Sequence, residues 1–241
     1  MSNHLLSRHT QRPRATLSLL KGIALERARA HEACGPARRS FALWLASVTN
    51  GPVLWISARW QPHMLNPDGM MDFVDPARFL FVAATRREDQ LWAVEEALRS
   101  GAAPLVVADL DAPPAMTPVR RLHLAAEQGG ALGPAPLALL LTPGQGGAAG
   151  IESRWHLSPA HRAQRRIWQL DRLRARTQPP ARWQLQQLAR GSAVQLCPPK
   201  SATPDCALDT TASGGEEPLC TTDTPPRSTT GHCETGHCDV T

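Results

Sequence analysis

The chain has 241 residues, 42% of them hydrophobic, enough to bury one sizeable core and add an appendage. Apolar runs such as Pro136-Leu137-Ala138-Leu139-Leu140-Leu141 are far too short to span a bilayer, and the polar N-terminus lacks the apolar core of a signal peptide, so a cytoplasmic protein outside any membrane is expected. The net charge of +5 is uneven: residues 1–197 carry 24 Lys and Arg against 14 Asp and Glu, whereas residues 198–241 carry 2 against 7, so a basic body suited to a polyanionic partner precedes an acidic tail that can mimic one.

Residues 1–21 are basic and polar, with Arg8, Arg12, Arg14 and Lys21, and read as an arm that ends in a short helix around Leu17 to Leu25. A strand follows at Ala30 to Cys34, then a turn, then a helix from Ala37 to about Thr49 whose apolar positions are Phe41, Leu43, Trp44, Leu45 and Val48. Asn50-Gly51 stops it. The uninterrupted run Pro52 to Ser57 has the pattern of a strand covered on both faces in a parallel sheet. Gln61 to Pro76 reads as a loop with a turn signal at Leu65-Asn66-Pro67-Asp68-Gly69.

Phe79 to Ala84 is the next strand, and Glu88 to Ser100 an amphipathic helix through Leu91, Trp92, Val94 and Leu98, capped by Gly101. Pro104 to Asp109 is a buried strand ending in a carboxylate; Val119 to Gln128 is a helix stopped by Gly129-Gly130; Leu137 to Leu141 is a further strand. This alternation implies right-handed crossovers and a parallel sheet. A flexible glycine-rich loop, 142–150, comes next.

Beyond it, Ser153 to Leu157, Ile167 to Arg174 and Arg182 to Gln186 alternate with period two, as antiparallel strands do, with a turn at Gln178-Pro179-Pro180. These strands interleave Trp155, Trp168 and Trp183 with Arg154, Arg162, Arg165, Arg166, Arg172, Arg174, Arg176, Arg182 and Arg190. One reading is a DNA-binding surface whose affinity falls steeply with salt. The reading we favour packs the tryptophans on one face and solvates the arginines on the other. From Pro198 on, Ser, Thr, Pro, Gly and acids dominate and disorder is expected. The tail's Gly231-His232-Cys233 and Gly236-His237-Cys238 offer two His-Cys pairs, but solvent-exposed cytosolic thiols are expected rather than a metal site.

From Arg29 to Asp109 the order strand, turn, helix, strand, helix, strand resembles a RecA-like nucleoside-triphosphatase. A working P-loop, G-x-x-x-x-G-K-S/T, needs glycine amides around the phosphates, a lysine against their charge and a hydroxyl on magnesium. With Gly35 as its first glycine only Gly35-Pro36 survives: the second glycine becomes Ser40, the lysine Phe41 and the hydroxyl Ala42. Asp109 falls at the Walker B-like position, but without a hydroxyl partner it reads as a strand-end cap, and no acid stands near Ser57-Ala58-Arg59, where RecA's catalytic glutamate would fall. Hydrolysis is not expected.

Several strings in this order are similar to the ImuA family of RecA-like proteins: His31-Glu32-Ala33-Cys34-Gly35-Pro36, Gly51-Pro52-Val53-Leu54-Trp55-Ile56, Leu65-Asn66-Pro67-Asp68-Gly69, Leu91 to Gly101, and Arg120 to Glu127. The similarity covers roughly residues 20–190 and fails in the tail. It implies an α/β, RecA-like P-loop-type core over residues 22–197, with a mostly parallel twisted sheet extended by antiparallel strands, between the arm 1–21 and a disordered tail 198–241. It implies a non-enzymatic accessory role in damage-induced (SOS) mutagenic translesion synthesis, without cofactor or metal, assembling with an ImuB-like Y-family polymerase homologue and an error-prone polymerase. RecA and DNA are further partners it brings in, and self-association stays open. The alternatives are a DNA-binding modulator of recombination and repair and, because ImuA relatives also resemble SulA, a cell-division inhibitor. The loop 142–150 occupies the place of RecA's second DNA-binding loop but carries neither a basic nor an aromatic residue.

Overall fold

The computed structural model describes residues 15–61, 65–162 and 165–198. Residues 1–14 of the arm and residues 199–241 of the tail, with both His-Cys pairs, lie outside them. The fold is α/β, with a mixed, mostly parallel sheet extended by antiparallel strands.

A hairpin comes first, β1 (Thr16–Leu20) against β2 (Ile23–Glu26). This corrects the helix expected over Leu17 to Leu25. The buried residues Leu17, Leu19, Ile23 and Leu25 stand two apart on each side of Lys21-Gly22, which is a strand period. A helix would have scattered them around its circumference.

The main sheet holds nine strands: β3 (Ala30–Cys34), β4 (Val53–Ala58), β5 (Phe79–Ala84), β6 (Leu105–Asp109), β7 (Leu137–Leu141), β8 (Ser153–Pro159), β9 (Arg166–Ala175), β10 (Ala181–Gln187) and β11 (Gln195–Leu196). Their order across the sheet is β11-β10-β9-β8-β3-β7-β6-β4-β5. Every pairing from β8 to β5 is parallel, and β8-β9, β9-β10 and β10-β11 are antiparallel. Central strands β6 and β7 are buried at every position, the signature of a sheet covered on both faces.

Alternation along these strands divides the core in two. Ala33, Val107, Leu139 and Leu141 face the hairpin and α1 (Arg38–Ser47), whereas Ala30, Val106, Ala108 and Leu140 face α3 (Arg87–Ser100) and α4 (Met116–Gly130). Between β4 and β5 the expected loop contains a helical turn, α2 (Pro67–Met70), capped by Asn66 accepting from the Asp68 amide at 3.0 Å, and a 3-10 turn, Pro76–Arg78, capped by Asp75. The turn signal in the sequence was a helix cap.

Helix α4 runs through the two glycines expected to stop it. Gly129 is held there by packing: a Cβ at this position would lie 1.9 Å from the Leu98 carbonyl oxygen, so only a bare Cα lets α4 approach the end of α3. Tertiary contact overrides glycine's weak helix propensity.

Candidate functional site

In open α/β sheets, ligand crevices lie beyond the carboxyl ends of the strands where the connections change face. That point here is the end of β3, whose helix α1 covers one face while α3 and α4, leading into β6 and β7, cover the other. Three features meet there: the β3-α1 turn, the β6 terminus with Asp109, and the glycine-rich segment after β7.

The turn is far tighter than a phosphate loop. Helix α1 starts at Arg38, three residues after Gly35. Gly35 has φ +88°, and a Cβ there would sit 2.6 Å from the Leu157 carbonyl oxygen, so glycine is required for chain geometry. The turn's amides already have partners: Gly35 N donates to Gly144 O at 3.0 Å, Ala37 N to Leu157 O at 3.1 Å, Arg38 N to Gly35 O at 3.3 Å, and Ser40 N and Phe41 N to Ala37 O at 2.9 and 3.4 Å. Pro36 has no N–H to give. An anion nest needs successive amides aimed outward, and this turn aims them at protein carbonyls.

Ser40, Phe41 and Ala42 therefore lie within α1. Phe41 is fully buried with its ring 5.8 Å from that of Trp155, and Ala42 is buried beside it. The Phe41 ring thus belongs to the core. Trp44 against Trp168 (5.1 Å, edge-on) and Trp155 against Trp183 (5.8 Å) extend the aromatic layer that fixes α1 to the antiparallel strands.

Cations do reach the crevice, from the two residues just before. Arg39 Nε donates to Asp109 Oδ2 at 2.7 Å, and Arg38 Nη2 lies 3.8 Å from Oδ1. The Asp109 side chain is 2% exposed, and the arginine side chains 28% and 23%. Gln61 and Gln90 donate their side-chain amides to the Asp109 main-chain carbonyl, each at 3.3 Å. Asp109 thus does more than cap its strand: it gathers a polar cluster in which its own Oδ1, Arg38 Nε and the Oε1 atoms of Gln61 and Gln90 are buried without a hydrogen-bond partner. Arg38 and Arg39 were missed in the sequence, where their only signal was two adjacent cations opening a helix.

Glu32 was missed as well. It is fully buried on β3, where Oε1 accepts from Thr142 Oγ1 at 2.7 Å, Gly147 N at 2.8 Å and Ala148 N at 3.0 Å. Oε2 accepts from Arg154 Nε at 2.5 Å, and Arg154 Nη2 also donates to Ala148 O at 3.0 Å. The glycine-rich loop expected to be flexible is thereby anchored at its middle by one carboxylate, which the sequence marked only as an acid inside an apolar strand. Beside it, burial and the Glu32 charge push the Cys34 thiol up to about 12, making it an inert neutral group. Burial pushes His31 down to about 4; its Nδ1 lies 2.7 Å from Ser153 Oγ and its Nε2 2.8 Å from Glu26 O. Trp155 Nε1 donates to the same hydroxyl at 2.7 Å, so Ser153 donates to Nδ1 and Nε2–H donates to the carbonyl. This is a neutral structural histidine.

The arginines proposed for DNA do not form one free basic surface. Arg154 is held by Glu32, Arg166 by Asp72 at 3.1 Å, and Arg176 lies 3.5 Å from Glu152. Arg172 is buried, with its guanidinium 5.6 Å and 5.1 Å from the Trp155 and Trp183 rings and its Nε on Pro179 O. It breaks the expected segregation of tryptophans from arginines, because an irregularity between Arg154 and Trp155 pairs Trp155 with Arg172 across the strands. Arg162, Arg165 and Arg174 are exposed. Among the described residues no group of three or more His, Cys, Asp or Glu is placed to hold a metal. No protein-family model matches the chain, and no curated protein matches it.

Proposed function

We propose that this chain is a non-catalytic, RecA-like accessory protein of damage-induced mutagenic translesion synthesis, which works by assembling with an ImuB-like polymerase homologue and an error-prone polymerase. The observation that carries this reading is the Arg39–Asp109 ion pair at the end of the sheet. A RecA-like ATPase would hold magnesium and phosphate there; here the cation is a guanidinium from the chain itself, and the neighbouring amides donate to protein carbonyls. The order of the strands, with a glycine turn ending β3 and an aspartate ending β6, supports descent from such a scaffold. With Arg154 and Arg172 engaged inside the protein and Arg166 and Arg176 ion-paired at its surface, partner proteins rather than DNA are the primary ligands in this proposal.

Two measurements test it. Co-expression with an ImuB-like protein encoded nearby should give a complex that survives gel filtration. Millimolar ATP or ADP with magnesium should leave the melting temperature of the purified protein unchanged, because binding to the folded state alone would raise it. A clear nucleotide-dependent rise would overturn the non-catalytic part, and no association with any polymerase component would overturn the pathway assignment.

A further inference from the structure

Helices α3 and α4 lie side by side on one sheet face, and their separation varies along their length. At the carboxyl ends they touch, Gly129 against the Leu98 carbonyl, with Arg99 Nε donating to Gln128 Oε1 at 3.1 Å. One turn back from Leu98, Arg121 reaches Glu95 at 2.7 Å. Toward their N-termini the helices leave a cavity of about 300 Å³ between them, floored by Leu91, Trp92, Pro118 and Leu122 and edged by Glu88, Asp89 and the Glu95–Arg121 ion pair. Trp92 is 59% exposed, a large apolar area in water on an otherwise well-packed element.

The edge has a definite charge. Glu95 is neutralised by Arg99 and Arg121, but among the described residues no lysine or arginine pairs with Glu88 or Asp89, and Asp89 accepts only from Thr85 Oγ1 at 3.3 Å. These two carboxylates stand in a body, residues 1–197, whose basic side chains outnumber its acidic ones by 24 to 14. An apolar floor under an acidic edge is complementary to an aliphatic anchor flanked by cations. It is a poor match for a second copy of this basic body, which like-charge contact elsewhere would oppose.

We infer that the α3-α4 groove is the docking site for a lysine- or arginine-bearing amphipathic helix of a partner protein, with a leucine or methionine of that helix seated between Trp92 and Leu122. A groove between two helices accepts the ridge of a third. A tryptophan is among the residue types that most often dominate such contacts. The inference stands apart from the translesion assignment, since any partner helix of this chemistry satisfies it.

The test uses the full chain and two fluorescein-labelled 16-residue helical peptides with one leucine stripe, one carrying lysines beside it and the other glutamates. Fluorescence anisotropy should show the lysine peptide binding at least tenfold tighter than the glutamate peptide. Trp92→Ala should weaken it about tenfold, and Trp60→Ala, an exposed tryptophan elsewhere, should leave it unchanged. The double variant Glu88→Lys/Asp89→Lys should reverse the preference, with circular dichroism showing that each variant is folded. Equal affinity for both peptides, no binding of either, or binding indifferent to Trp92 and to the reversal would overturn the inference.

Discussion

Arg39 and Asp109 are 70 positions apart in sequence and meet at 2.7 Å, the guanidinium from the first turn of α1 on a carboxylate at the end of β6. Removing one partner of such a pair leaves a charge in a poorly solvated place. Arg39→Ala should cost about 2–3 kcal/mol in urea denaturation, less than the full penalty for a buried pair because Arg39 keeps 28% exposure and Arg38 lies 3.8 Å from the same carboxylate. Arg39→Ala/Asp109→Ala should recover part of that loss, and strict additivity of the two single changes would show that the pair is not coupled.

Glu32 does for the glycine-rich loop what packing cannot. The segment 142–150 has little apolar surface of its own, and its order comes from the Thr142 hydroxyl and the Gly147 and Ala148 amides converging on one carboxylate. Glu32→Ala would strand those donors and the Arg154 guanidinium together, so a loss of about 3–5 kcal/mol is expected. Hydrogen exchange should show the Gly147 and Ala148 amides losing protection before the β6 amides do. Unchanged protection at those two amides would refute the anchoring role.

A lysine at position 41 should not create a nucleotide site. Phe41 is fully buried against Trp155, so Phe41→Lys places an ammonium in the aromatic layer and far from any phosphate. The expected outcome is a loss of at least about 3 kcal/mol with no gain in ATP affinity. ATP binding by a folded Phe41→Lys protein would mean that α1 can shift to a phosphate-loop register.

These cases show where the sequence was legible. Strands β4, β6 and β7 and helix α3 could be read because burial on both faces, or amphipathic spacing closed by Gly101, leaves an unambiguous local pattern. The hairpin was misread because Leu17, Leu19, Ile23 and Leu25 sit in a window short enough to suit a helix, and only the core beneath α1 decides between the two periods. The polar cluster at the end of β6 was not legible. Which residues fill the crevice depends on α1 starting at Arg38, and that depends on contacts with Leu157 and Gly144 more than a hundred residues away. Glu32 likewise acquires its role from loop residues 110 or more positions distant, a relation that no local spacing encodes.

The buried histidine makes stability depend on pH in a stated direction. His31 titrates at about 4 in the folded chain against an ordinary 6.5, because burial disfavours its charged form more than the Glu26 carbonyl favours it. Between these values the unfolded chain binds a proton that the folded chain refuses, so the contribution is fully present above pH 6.5 and is lost as pH falls toward 4. The lost part amounts to about 3 kcal/mol. His123 is lowered in the same direction by burial and steepens the same window. Urea midpoints at pH 7 and pH 4.5 should therefore differ by more in the wild type than in His31→Gln, whose amide can still meet Ser153 and the Glu26 carbonyl but cannot take a proton. Equal pH dependence in the two proteins would place the acid sensitivity elsewhere in the chain.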